Sequence, residues 1–266
     1  MEETLRILVS IGFAMLLVLL RFDSERFGVA EHLVVVPHVP PVVARRRIAW
    51  YGLAIAIAAS IVLVHPDPRG ALGLDPGELG PTLLLGLLAA AFGVLQAAAV
   101  GYLRHDRLRT TFGRGAEWTI ANGLATSLVD EVAFRGAVLG FLLLTGAGPL
   151  VAVLGETFLY ALATRTTVAG VDRYLLALAL GIGFVGGIVT LASGGVGAAF
   201  IGHAATRLAV ALFLGARGDE VDLGGRGPAR GLGHGRGHGR PKARADGRPE
   251  ARGDGEEDFE PARVGS

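Results

Sequence analysis

The chain has 266 residues, 51% of them hydrophobic, a formal net charge of +1 and no cysteine. Disulfides and thiolate metal sites are thereby excluded, and the balanced charge gives no reason to expect a nucleic-acid partner. Apolar runs this long are foreign to a soluble domain of the same length. They predict an all-α, polytopic membrane helix bundle of about seven transmembrane helices plus a disordered C-terminal tail.

Residues 5–20 form the first apolar run. Glu2 and Glu3 precede it and no small-x-small cleavage site lies before Arg21, so it reads as a retained span and not as a signal peptide. Residues 21–47 carry Arg21, Arg26 and the triplet Arg45, Arg46 and Arg47. The apolar piece inside them, 34–41, is too short and too proline-rich to cross a bilayer and is expected along the interface, with His32 and His38 toward solvent or headgroups. A second span covers 48–64, with Trp50 and Tyr51 at headgroup level. The loop 65–81 is rich in Pro, Gly and Asp and holds one arginine, Arg69. A third span covers 82–103, and its Gln96 is expected to bond a neighbouring helix. The loop 104–117 holds Arg104, Arg107, Arg109 and Arg114. The fourth span runs over 118–144, and a tight turn at 146–149 leads to a short fifth span, 150–163. Arg165 and Arg173 bracket the next loop. The sixth span, 174–192, carries Gly181, Gly183, Gly186 and Gly187, which allow close helix packing. A turn at 193–195 leads to the seventh, 196–214.

Arginine-rich and arginine-poor connections alternate without exception along these seven spans. The rule that positive loops stay inside then puts the N-terminus outside and the tail in the cytoplasm of a multi-pass cell-membrane protein. From 216 onward Gly, Arg, Pro, Asp and Glu dominate, and such a segment buries too little surface to offset the entropy of ordering. Its Gly/Arg/His stretch, 231–240, reads as solvated tail, and His234 and His238 lack a rigid frame for a metal. The chain thus divides into N-terminal helices and interfacial segment (1–114), a core carrying the chemistry (115–215), and a cytoplasmic tail (216–266).

The core is organised around Thr126-Ser-Leu-Val-Asp130-Glu131-Val-Ala-Phe134-Arg135-Gly136. Each ionised side chain at mid-membrane costs about 2.5 to 3.5 kcal/mol on insertion scales, so this group must face a protein-lined interior. Glu131 and Arg135 are four apart and share a helical face. Other polar groups at membrane depth are Glu156, Tyr160 and Thr164 on the fifth span, and His203 and Arg207, again four apart, on the seventh. Carboxylates and an imidazole in a sheltered, wet pocket are equipment for activating water, and an arginine there can stabilise an oxyanion.

This pattern resembles the CAAX prenyl protease and bacteriocin-processing (CPBP, or Abi) intramembrane endopeptidases. Their motifs are Glu-Glu-x-x-x-Arg, Phe-x-x-x-His and His-x-x-x-Asn, each on its own transmembrane helix. Asp130-Glu131-Val-Ala-Phe-Arg135-Gly136 matches the first with Asp for the leading Glu. Tyr160-Ala-Leu-Ala-Thr164 falls at the second with Tyr for Phe and Thr for His, and His203-Ala-Ala-Thr-Arg207 matches the third with Arg for Asn. The resemblance covers about 115–214. It implies an endopeptidase acting on a peptide or prenylated-protein substrate among membrane lipids, with Asp130 as general base, Glu131 as a second acid held by Arg135, and His203 as the partner of water or oxyanion. Thr164 and Arg207 occupy site positions, but Thr164 lacks the proton-accepting and metal-binding capacity of an imidazole. Arg207 repels a cation, and with one histidine in these motifs and no cysteine a zinc site would need Asp130, Glu131 or Glu156 as partners of His203. The sequence names no cofactor. The departures imply either a weakened protease or a catalytically inactive scaffold that binds lipid or peptide in the same fold. A transporter would show a second broken helix or an inverted repeat, and neither is visible.

Overall fold

The computed structural model describes residues 2–27, 29, 34–35, 41–105, 116–167, 173–214 and 216–217. Among them are seven long helices: α1 (Glu2–Phe22), α2 (Pro41–Val64), α3 (Leu79–His105), α4 (116–144), α5 (Pro149–Thr167), α6 (Arg173–Ser193) and α7 (Gly197–Leu214). The described helices all fall in one unit, Met1–Gly224, and a second unit, Gly225–Ser266, lies outside the described residues. So do the expected disordered tail beyond Arg217, His32, His38 and the arginines between 106 and 115.

By length and composition α1, α2, α3, α6 and α7 can each cross a membrane, with α5 a shorter apolar helix beside them. The fourth helix, which carries the charged motif, is not among these five. Its middle is a π-helical stretch, Glu131–Val138, set between α-helical pieces Ala116–Asp130 and Leu139–Leu144. Wider turns of this kind inside α-helices are frequent at functional sites. The stretch begins at the residue after Asp130.

Three boundaries differ from the sequence reading. The second helix starts at Pro41, not near 48, so Arg45 to Arg47 form its early turns instead of a loop. Proline suits a first helical position, where its missing N–H costs nothing. Trp50 is fully buried and donates its Nε1–H to the Leu20 carbonyl at 3.0 Å, and Tyr51 beside it is half-buried. The fifth helix runs on through Arg165 to Thr167. The first two residues of the expected tail, Ala216 and Arg217, pair in parallel with Val34 and Val35, the one strand pair among the described residues.

The apolar loop ends do what the composition asks. Gly73, Gly77, Gly146 and Gly194 all have positive φ, the region glycine enters freely. Gly136 and Gly140 of α4 leave room for Leu74 and Leu72, so the 65–78 loop packs onto that helix and buries Leu72. The α3 and α7 helices meet along small residues, with Gly86 against Ile201, Ala89 against Gly202 and Gly93 against Thr206. Gln96 bonds the Ala177 carbonyl of α6 at 3.3 Å, as expected. The α6 glycines admit polar side chains as well as helices: Gly183 faces Thr157, Gly186 faces Arg135 and Gly187 faces Glu156.

Candidate active site

Four helices bring the buried ionisable groups to one place. Asp130, Glu131 and Glu156 have no exposed surface, Arg21 and Arg135 are 1% exposed, His203 2% and Arg207 6%. Groups of this kind persist away from water only when paired and hydrogen-bonded.

Asp130 sits between two guanidinium groups. Arg21 Nε on α1 lies 2.5 Å from its Oδ1, and Arg207 Nη2 on α7 lies 2.5 Å from its Oδ2. Arg21 also donates from Nη1 to Ser24 Oγ at 2.8 Å. Glu131 meets the imidazole, with its Oε1 2.6 Å from His203 Nδ1. The other face of that ring is engaged too. Arg207 Nε donates to His203 Nε2 at 2.9 Å, and the Tyr160 hydroxyl is 3.0 Å from the same nitrogen. His203 Nε2 is 4.0 Å from Asp130 Oδ2. On the far side, Arg135 bridges the two glutamates, with Nη1 3.4 Å from Glu131 Oε1 and Nε 3.7 Å from Glu156 Oε2. Arg135 Nη2 donates to the Ile182 carbonyl at 3.1 Å, and its guanidinium carbon lies 4.4 Å from the centre of the Tyr160 ring. Edge-to-face contacts of Tyr160 with Phe134 and with His203 complete the packing.

The structure thus brings together five of the six residues singled out for the site, Asp130, Glu131, Arg135, His203 and Arg207. Thr164, the sixth, is half-buried one turn along α5, where its hydroxyl donates to the Tyr160 carbonyl at 3.0 Å. The hydroxyl of α5 on the imidazole is that of Tyr160. Glu156 pairs with Arg135 and not with Arg207.

Arg21, which hydropathy assigns to a loop, is instead buried in the last turn of α1. Its signal was spacing: the buried residues of α1 are Ser10, Ala14, Leu17 and Arg21, one inward stripe at helical period. Asn122 and Thr126 were also passed over, although with Asp130 they recur every four residues along α4. The Tyr51 hydroxyl contacts Asn122 Oδ1 at 2.8 Å and Thr126 Oγ1 at 2.6 Å, extending the polar track away from Asp130.

Arg135 Nε and Nη1 and both carboxylate oxygens of Glu156 make no hydrogen bond among the described residues, and two further atoms of the cluster share that state. Glu131 Oε2 accepts no hydrogen bond and Arg207 Nη1 donates none among the described residues. One is a free basic oxygen and the other a free cationic donor. Next to His203 is a cavity of about 10 Å³, lined by Phe92, Gly93, Ile182, Gly186 and Thr206 among others. That is room for about one water. No group of three His, Cys, Asp or Glu side chains among the described residues is arranged to hold a metal ion.

No curated protein and no solved structure matches the chain. The resemblance read from the three motifs is the one the family comparison finds: over residues 114–209, less than half of the chain but the part that carries Asp130, Glu131, Arg135, Glu156, Tyr160 and His203, it matches the family model described as Type II CAAX prenyl endopeptidase Rce1-like.

Proposed function

We propose that the chain is an intramembrane endopeptidase of CAAX type that hydrolyses a peptide bond of a prenylated or leader-bearing peptide, with Glu131 and His203 activating the water. The observation that carries this reading is the 2.6 Å contact of His203 Nδ1 with Glu131 Oε1 in a fully buried setting. Glu131 Oε2 takes the proton of the attacking water, and the resulting hydroxide adds to the scissile carbonyl. Arg207 Nη1 donates to the oxyanion of the tetrahedral intermediate. Glu131 then returns the proton to the departing amine as the carbon–nitrogen bond breaks. Asp130, engaged at both oxygens, holds Arg207 in place and is a weaker candidate for the base than Glu131. Arg135 orients Glu131, and Thr164 bonds the Tyr160 carbonyl one turn along α5.

The cell membrane is the proposed location, with the N-terminus outside and the 216–266 tail in the cytoplasm. The support for this orientation is the positive-inside rule applied to the exposed Arg26, Arg45 and Arg46 between the first two apolar runs, against Arg69 alone in the next loop. The 115–215 core is proposed to work only together with the N-terminal helices, because Arg21 reaches into it.

A second reading rests on a different observation. Both Asp130 oxygens are held by arginines and the neighbouring cavity admits about one water, which favours a closed, non-catalytic protein that binds lipid or peptide. Purified protein in proteoliposomes, offered a farnesylated C-terminal peptide and a leader peptide, separates the two. The endopeptidase reading expects cleavage that Glu131→Gln lowers by about 10²-fold or more. Absence of cleavage of both peptides leaves the binding reading, and cleavage at an unchanged rate in Glu131→Gln removes Glu131 from the chemistry.

A further inference from the structure

Among the described residues the ion pairs around His203 join three carboxylates, Asp130, Glu131 and Glu156, and three guanidinium groups, Arg21, Arg135 and Arg207, all buried. Without Arg21 the acids outnumber the arginines, and electroneutrality of the buried site would ask the histidine to carry the missing positive charge. The hydrogen bonds forbid that. A guanidinium N–H only donates. Arg207 Nε is 2.9 Å from His203 Nε2, so this ring nitrogen presents its lone pair. The Tyr160 hydroxyl, 3.0 Å away, donates to the same nitrogen. The ring proton is then on Nδ1, where it is donated to Glu131 Oε1 at 2.6 Å. An imidazolium would set an Nε2–H against the Arg207 Nε–H.

We infer that Arg21 is a positioning residue: through Asp130 it supplies the positive charge that keeps His203 neutral and in its Nδ1–H form. This deepens the endopeptidase reading and rests on it for its catalytic meaning, since a neutral ring of this tautomer is what leaves Glu131 an ionised, proton-accepting partner. The charge assignment itself rests on the hydrogen bonds alone. Arg21 makes its contact from α1, outside the segment that matches the family model.

The groups facing the imidazole support the assignment. The α4 helix presents Asp130, Glu131 and Arg135, α5 presents Tyr160 with Glu156 behind Arg135, and α7 presents Arg207. The α2 helix contributes Tyr51, whose hydroxyl is engaged by Asn122 and Thr126. From α3 and α6 the cavity beside the ring is lined by Phe92, Gly93, Ile182, Val185 and Gly186, none of them ionisable. Arg47 of α2 is buried as well. If Arg21 is lost, Asp130 Oδ2, already 4.0 Å from His203 Nε2, becomes the acceptor for a second ring proton and Arg207 is displaced from the ring.

The test uses full-length protein with ¹⁵N-labelled histidine in lipid nanodiscs at neutral pH, read by solid-state NMR. The His203 signals are assigned by difference from His203→Gln. Wild-type protein is expected to show a neutral ring protonated at Nδ1. Arg21→Gln should convert it to the doubly protonated cation, Arg21→Lys should leave it neutral, and Arg21→Gln combined with Asp130→Asn should restore the neutral ring. A cationic ring in the wild type, or a neutral one in Arg21→Gln, overturns the inference. If Arg21→Gln does not fold, the double variant must recover both folding and the neutral ring, and failure to do so overturns it equally. Protein that gives the expected spectra yet cleaves neither peptide keeps the role of Arg21 and loses the endopeptidase reading.

Discussion

The bundle has two kinds of interior. Where α1, α4, α5 and α7 meet, the contacts are charged, directional and short, as in the two 2.5 Å bonds to Asp130. Where α3 lies along α7, the contacts are between small side chains, with Ala89 on Gly202 and Gly93 on Thr206. In a membrane no hydrophobic force pulls helices together, because acyl chains are as apolar as leucine. The small-residue seam holds by close approach and dispersion, so its energy is spread over many weak contacts. The charged cluster concentrates its energy in a few groups that cannot be left alone. Each region is therefore vulnerable to a different change: one to the loss of a partner, the other to the addition of an atom.

The largest effect is expected from Asp130→Ala, which removes the buried carboxylate that Arg21 and Arg207 both contact. Breaking a buried pair from one side costs about 3–5 kcal/mol. Reversible unfolding in mixed micelles should register that loss, and a change below about 1 kcal/mol would mean that water reaches the cluster and screens it. Gly93→Val probes the seam, since a side chain there falls on Thr206. Overpacking of this sort costs about 1–3 kcal/mol, and the same unfolding measurement should place it below Asp130→Ala. Equal losses from the two variants would erase the distinction between the regions. The smallest effect is expected at the rim of the cluster. Tyr51→Phe removes a hydroxyl shared with Asn122 and Thr126, and hydrogen bonds inside membrane proteins average about 0.6 kcal/mol. A larger loss would extend the charged, all-or-nothing behaviour as far as Tyr51.

Much of the helix plan was legible in the linear chain. Seven apolar runs separated by arginine-rich or Gly/Pro-rich connections became seven helices, since bilayer thickness fixes how long such a run must be. The start of α2 was not legible, because three arginines in a row look like a loop when helices are found by hydropathy alone. Helical backbone continues past the apolar stretch whenever nothing breaks it, and Pro41 is a first-turn residue that breaks nothing. Nor was it legible that Trp50 is fully buried among the helices. Arg21 was hidden for the same reason. It ends an apolar run, and only its register with Ser10, Ala14 and Leu17 tells that it faces inward.

By itself the sequence determined that the chain is a helical membrane bundle and that its acids, arginines and lone core histidine must shelter together, since each is too costly to show to lipid. It could not decide which acid meets which cation. Spacing along one helix put Glu131 beside Arg135, but Asp130 with Arg21 and Arg207, Glu131 with His203, and Tyr160 with His203 are pairings across helices. They depend on the rotation and depth of each helix against its neighbours. Those are set by how the small-residue seams, the π-helical stretch and the 65–78 loop pack, and no pattern within one segment encodes them.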